Sequence, residues 1–218
     1  MKRITAIEPQ QKNPQRVNVY LDGEFAFGLA RILAAWLKVG QELSEEKIAS
    51  LKTEDEREIT YQKALHFLSY RPRSSAEVHQ NLTKRGVSET LAKETVSRLQ
   101  SSGLVNDDAF AQAWVENRNT FRPRSKSALR MELRRKGFSD ETVQSVLDEH
   151  VDEQALAFEA ARKYVRRLAG LEWPEFRQKL GSFLARRGFS YTTLAPVVSE
   201  VWKETQMADN GRIFDDEE

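Results

Sequence analysis

Residues 122–139 read RPRSKSALRMELRRKGFS, and related stretches occupy residues 71–88 and 173–190. Successive stretches are offset by 51 residues, so that a proline, two apolar residues four positions apart and a glycine fall in register in all three. Self-similarity at a fixed spacing is typical of proteins built from stacked structural repeats. The sequence therefore predicts three tandem copies of one unit. The registered glycines are Gly86, Gly137 and Gly188.

Each copy has the pattern of a small helical unit. A helix is predicted to begin near the proline, whose fixed φ is tolerated there. The basic residues before the glycine suit the negative end of that helix, and the glycine suits its left-handed cap. A serine two residues later can cap the next helix. A third helical stretch precedes each proline, at residues 60–68, 107–117 and 154–168.

The first fifty residues have a different pattern. Asp22-Gly23, flanked by apolar-alternating residues 16–21 and 24–28, predicts a β-hairpin with a type I′ turn. Residues 4–7 could add a third strand. These segments indicate a small α/β module ahead of the repeats.

Helices are predicted after the hairpin at residues 29–36 and 44–51, and the charged run 53–57 is interpreted as a linker. The fold class is therefore mainly α: a small N-terminal α/β module (a β-hairpin plus helices), then three tandem three-helix repeats in a curved, elongated array. The predicted domains are the module at 1–52, the repeats at 57–105, 106–152 and 153–205, and an acidic, disordered tail at 206–218.

The composition excludes several classes of function. The chain has no cysteine, which removes thiolate metal sites and cysteine nucleophiles, and His66, His79 and His150 have no second ligand at metal spacing. There is no phosphate-binding glycine loop, nucleophile elbow or zinc motif. We therefore expect no catalytic residue, no metal, no cofactor and no enzyme activity. With no apolar stretch long enough for a signal peptide or a membrane span, we expect a cytoplasmic protein.

Charge is unevenly distributed, although the formal net charge is only +1. Residues 119–137 hold seven basic residues and one acid, Glu132, whereas the last fifteen residues hold six acids and one arginine. A stripe of basic residues is the footprint of a polyanion. The same residues could equally serve as helix caps or intramolecular ion pairs, and both interpretations stay open.

The arginines that bracket the prolines are the first candidates for binding. A positive side chain at a helix N-terminus is disfavoured by the helix dipole, so a phosphate, an acidic partner or a neighbouring carboxylate should compensate it. The basic clusters before the glycines are the second candidates. The full candidate set is Arg71, Arg73, Lys84, Arg85, Arg122, Arg124, Lys126, Arg130, Arg134, Arg135, Lys136, Arg186 and Arg187.

Several motifs in this order resemble the RecX family. They include YLDGEFAFG at 20–28, LSYRPRS at 68–74, LTKRG at 82–86, GLVNDDAFA at 103–111 and RMELRRKG at 130–137. The third repeat departs from this pattern, with EWPE at 172–175. The resemblance implies a protein that lies in the groove of a RecA–single-stranded DNA filament and inhibits recombinase and ATPase activity in DNA repair and the SOS response. We expect a monomer whose candidate residues contact the filament or its DNA, with weak direct binding to single strands.

Two other classes of function remain open from the residues alone. Three-helix units with capped turns are also typical of helix-turn-helix proteins that read duplex DNA, but no helix here is rich in base-reading side chains. A protein-interaction adaptor independent of the recombinase is the other alternative, because stacked helical repeats present extended binding surfaces.

Overall fold

The computed structural model describes residues 1–215, with side chains up to residue 207. It divides into two compact units, Met1–Val105 and a second unit that starts at Asn106. The first contains β1 (Lys2–Gln10), β2 (Asn13–Leu21), β3 (Glu24–Ala30), α1 (Arg31–Ala34), β4 (Glu42–Leu43), α2 (Glu45–Leu68), α3 (Ser75–Lys84) and α4 (Glu89–Ser101). The second contains α5 (Asp107–Phe121), α6 (Lys126–Arg135), α7 (Asp140–His150), α8 (Glu153–Val165), α9 (Trp173–Arg186) and α10 (Tyr191–Asp215).

The N-terminal strands form one antiparallel sheet in the order β3-β2-β1-β4. Asp22 and Gly23 have φ values of 51° and 89°, so the predicted hairpin and its type I′ turn are confirmed. Alternate residues of β2 (Val17, Val19 and Leu21) are buried against the helices. The predicted helix at 29–36 is wrong at its start, because residues 29 and 30 continue β3 and pair with β2.

Helix α2 is continuous over 24 residues, so the predicted linker at 53–57 is wrong. Asp55, in the middle of that charged run, is buried. Its carboxylate accepts hydrogen bonds from both terminal nitrogens of Arg16 on β2, at 3.2 and 2.7 Å. It also accepts one from the backbone N–H of Ala30, at 2.7 Å. The N-terminal half of α2 therefore packs on the sheet, and its C-terminal half belongs to the first repeat.

The first repeat consists of the C-terminal half of α2, followed by α3 and α4. Its core holds the registered pair Val78 and Leu82, with Leu99 of α4 among the other buried residues. The N-cap of α3 is a full capping box, in which Ser74 accepts from the N–H of Glu77 and Glu77 accepts from the N–H of Ser74. As predicted, Pro72 lies near the start of α3, the apolar pair is buried, and Ser88 caps α4 by accepting from the N–H of Leu91.

The second and third repeats share one hydrophobic core, to which every helix from α5 to α10 contributes. The turn after α9 lies against the start of α6, where the N–H of Ser125 donates to the carbonyl of Arg187 at 3.2 Å. Neighbouring repeats in this unit therefore stack directly, as repeat proteins require.

The third repeat differs from the first two in where its proline lies. Pro174 lies inside the first turn of α9, as the sequence predicts, whereas Pro72 and Pro123 lie just before the capping serines of α3 and α6. Helix α10 extends to Asp215, into the segment 206–218 for which the sequence predicts disorder. Residues 216–218 of that predicted tail lie outside the described residues. No helix within residues 1–215 is both long and apolar enough to cross a lipid bilayer.

Candidate functional site

The arginines that open the first repeat are engaged within the unit. Arg71 forms an ion pair with Glu77, with 3.0 Å between Nη2 and Oε1. The guanidinium of Arg73 stacks on the ring of Phe67, 4.1 Å from its centroid, and burial, followed by the charge of Arg71, lowers the pKa of Arg73. For Arg71 the compensating group is therefore a neighbouring carboxylate, one of the possibilities left open by the sequence.

Three basic residues of α6 pair with α7. Lys126, Arg130 and Arg134 are spaced by four residues and share one face of the helix. Lys126 and Arg134 contact carboxylates at 3.2 and 2.6 Å, while Arg130 donates to an amide. The partners on α7, in the same order, are Asp148, Gln144 and Asp140. This part of the basic stripe is therefore largely neutralised inside the second repeat.

Glu132 organises the opposite side of α6. Its carboxylate accepts hydrogen bonds from Trp114 Nε1 and Arg118 Nε, each at 2.8 Å. It also forms an ion pair with Arg124 at 2.9 Å. The side chain of Glu132 is only 14% exposed. One carboxylate thus serves two arginines and an indole, a role that sequence reasoning missed, although Glu132 stood out as the single acid of the basic stretch.

Replacing Glu132 with glutamine is expected to lower the free energy of unfolding by about 1–2 kcal/mol, because charge-assisted hydrogen bonds become neutral ones. Urea unfolding followed by circular dichroism measures this loss. Glu116→Gln, at an exposed position of α5, is the matched control and should change stability by less than about 0.5 kcal/mol. Equal effects at the two positions would contradict the assigned role of Glu132.

Arg122, Arg124 and Arg187 meet where the turn after α9 lies against the start of α6; we call these three residues the arginine corner. Arg187 Nη1 donates to the carbonyl of Pro123 at 3.3 Å, and its guanidinium lies 4.4 Å from the ring centroid of Phe183. The Nε of Arg187 is buried and has no hydrogen-bond acceptor. Burial, followed by the nearby charges of Arg124 and Arg122, lowers the pKa of Arg187.

The other candidate residues lie outside this corner. Lys136 lies over the ring of Trp114, with Nζ 4.5 Å from the centroid. Among the described side chains, the remaining four are exposed and contact no carboxylate: Lys84, Arg85, Arg135 and Arg186. The same part of the chain contains no group of three histidine or acidic residues placed to hold a metal ion. The structure therefore brings together three of the thirteen candidates with little compensating negative charge.

Four family models match consecutive parts of the chain. They are described as the regulatory protein RecX N-terminal domain, at residues 2–44, and the first, second and third three-helix domains of RecX, at residues 61–99, 106–147 and 152–193. Together they cover the whole sheet and most of each repeat.

Curated relatives and solved structures agree with these matches. A regulatory protein RecX from Bacillus pumilus is 32% identical over 206 residues, which cover 93% of this chain and 78% of that protein. One from Bacillus subtilis is 32% identical over 92% of this chain and 78% of its own length. A crystal structure of a regulatory protein RecX superposes with a TM-score of 0.71 at 27% identity, covering 90% of this chain and 98% of that one.

A RecX structure from Lactobacillus salivarius has the same fold, with a TM-score of 0.59 over 67% of this chain and 97% of that one, at 23% identity. The relatives are named as regulatory proteins, which agrees with the expectation that this chain is not an enzyme. The identity of about a third along more than nine-tenths of the chain, the four matching domains and the shared fold all point to one family. The chain therefore belongs to the RecX family of regulatory proteins.

Proposed function

We propose that this protein binds the RecA–single-stranded DNA filament and inhibits its recombinase and ATPase activities during DNA repair and the SOS response. Similarity to proteins named regulatory protein RecX along most of the chain carries this proposal, because a regulator without catalytic groups must act by binding a partner. The resemblance to the RecX family implies that the partner is the RecA filament. The protein acts as a monomer in the cytoplasm.

The proposed mechanism is stoichiometric binding through many modest contacts. Three helical repeats can contact several subunits of a filament, and linked contacts raise affinity without any single strong one. Exposed cations without carboxylate partners, such as Arg122 and Arg186, steer the protein towards a polyanionic filament, which makes binding sensitive to salt. Tighter binding to the inactive or disassembled state than to the active one shifts the filament population.

The test is ATP hydrolysis by the cognate RecA on single-stranded DNA, titrated with this protein at two salt concentrations. Hydrolysis is expected to fall at substoichiometric amounts of protein, and less steeply at the higher salt. Because Arg122 is exposed and has no carboxylate partner among the described side chains, Arg122→Ala should require about fivefold more protein for half-inhibition, the loss expected for one exposed ion pair of about 1 kcal/mol. Arg177→Ala removes an exposed arginine of α9 outside the candidate set and is the matched control.

Unchanged hydrolysis at a molar excess of correctly folded protein would contradict the proposal. The two remaining classes would then be separated by direct binding measurements. Sequence-specific binding to duplex DNA without a recombinase would favour a helix-turn-helix regulator, and its absence would favour an adaptor.

A further inference from the structure

We propose that the arginine corner, together with the adjacent ring of Phe121, binds one phosphodiester and one base of a single-stranded nucleic acid. This inference rests on the proposed function, because the strand held within the filament is the ligand. It goes further in two ways. It selects three of the thirteen basic candidates and adds an aromatic residue outside that set. It also assigns the nucleic acid strand, and not the recombinase, as the ligand of these residues.

The charges of the corner are poorly compensated. Glu132 is the carboxylate that pairs with Arg124, and it is shared with Arg118. Among the described side chains, no acid contacts Arg122 or Arg187. Like charges held together in this way raise the free energy of the unliganded protein, and a bound anion lowers it.

The first repeat has an acidic residue at the start of its second helix, α3, that the second repeat lacks in α6. In the first repeat, Arg71 occupies the position of Arg122 and is paired with Glu77, the third residue of α3. The residue of α6 in register with Glu77 is Ala128, and the first turn of α6 carries no acid at all. The positive end of the helix dipole therefore adds to the arginine charges in the second repeat, whereas in the first repeat a glutamate offsets them.

The corner is also held in place for a ligand. Arg187 is positioned by its bond to the Pro123 carbonyl and by stacking on Phe183, while Arg124 is positioned by Glu132. Arg122 is exposed, and its charge lies near enough to Arg187 to lower the pKa of that guanidinium. Guanidinium groups that approach from two segments of chain suit a phosphate group, whose oxygens point in several directions.

Phe121 favours a nucleic acid over an acidic protein surface. Its ring is 72% exposed at the end of α5, next to Arg122 in the chain. An exposed aromatic ring beside a cationic site is the arrangement by which proteins bind single strands, with the base stacked on the ring and the phosphate on the cations.

The test is fluorescence anisotropy of a labelled oligothymidylate with the full-length protein, without recombinase or ATP. Arg122→Ala should weaken binding about fivefold at low salt and reduce the slope of log affinity against log salt by about 0.7, the value for one phosphate contact on a single strand. Phe121→Ala should weaken binding about fivefold and leave the slope unchanged, because stacking releases no counterion. Arg177→Ala and Tyr191→Ala, an exposed arginine and an exposed aromatic elsewhere in the same unit, are the controls and should change affinity less than about twofold.

A second variant tests the same site by adding a carboxylate beside the arginines. Ala128→Glu places in α6 the acid that α3 carries at Glu77, and it should weaken binding about as much as Arg122→Ala does, since the new carboxylate competes with the strand. Thermal unfolding confirms that each variant is folded. Inorganic phosphate at matched ionic strength should not displace the oligonucleotide, and displacement would mean that the corner takes free phosphate instead.

Equal losses in the site variants and the controls would overturn the site, because they would indicate a diffuse charge effect. Absence of oligonucleotide binding by the wild-type protein at low salt would overturn it as well. If the wild-type protein still inhibits ATP hydrolysis by RecA, either of these results leaves the proposed function intact. If it binds the oligonucleotide but does not inhibit hydrolysis, the proposed function is contradicted and the binding site is not.

Discussion

Asp55→Ala is expected to lower the free energy of unfolding of the unit Met1–Val105 by about 3–5 kcal/mol. The carboxylate of Asp55 is the acceptor for two nitrogens of Arg16 and for the N–H of Ala30. Its removal leaves a guanidinium that is only 20% exposed and a buried backbone donor without that acceptor. An uncompensated buried charge costs far more than the net value of the pair it came from.

Urea unfolding followed by the far-ultraviolet circular dichroism signal measures this loss. Glu56→Ala is the matched control, since it removes the neighbouring acid from an exposed position of the same helix and should cost less than about 0.5 kcal/mol. Asp55→Asn should fall between the two, because an amide oxygen can still accept from one donor. A loss of under about 1 kcal/mol for Asp55→Ala would show that α2 is held on the sheet by apolar packing alone.

Local sequence signals explain which parts of the fold could be predicted. The hairpin depends on Asp22-Gly23, and each repeat depends on a serine cap, an apolar pair and a glycine, all within about twenty residues of chain. The predicted linker at 53–57 failed for the opposite reason. The partner of Asp55 is 39 residues away, so a buried acid in the middle of a charged run is indistinguishable in sequence from a solvated one.

The candidate site, too, depends on contacts between residues that are far apart in the sequence. The RPRS tetrapeptide occurs in both of the first two repeats and made Arg71 and Arg122 equivalent candidates, whereas the larger number of basic residues at 119–137 favoured the second repeat. One difference visible in the aligned sequences is the position three residues after the capping serine, which is Glu77 in one repeat and Ala128 in the other. Alignment of the repeats makes that difference visible, but its consequence depends on Arg187, which reaches the corner from 64 residues further along the chain.

Gly188→Ala is expected to destabilise the second unit by about 2–4 kcal/mol. The residue has a φ of +91°, and a left-handed conformation costs an alanine about 1 kcal/mol. A Cβ there would also lie 2.6 Å from Ser125 Oγ and 3.1 Å from Ala128 Cβ. Ser125 is fully buried and caps α6, so its side chain has no space into which it can move. Overpacking of this kind costs a further ~1–3 kcal/mol.

Gly86→Ala separates these two contributions. Gly86 ends α3 in the same left-handed conformation, with a φ of +83°, but no atom lies within 4 Å of its hypothetical Cβ. Its substitution should therefore cost only the conformational part, about 1 kcal/mol, in the same urea experiment. The excess at Gly188 then measures the contact between the turn of the third repeat and the start of α6. If both substitutions lowered the free energy of unfolding equally, the structure around Ser125 would have moved to accept the added methyl group. The stacking of the repeats would then not hold Arg187 at the arginine corner.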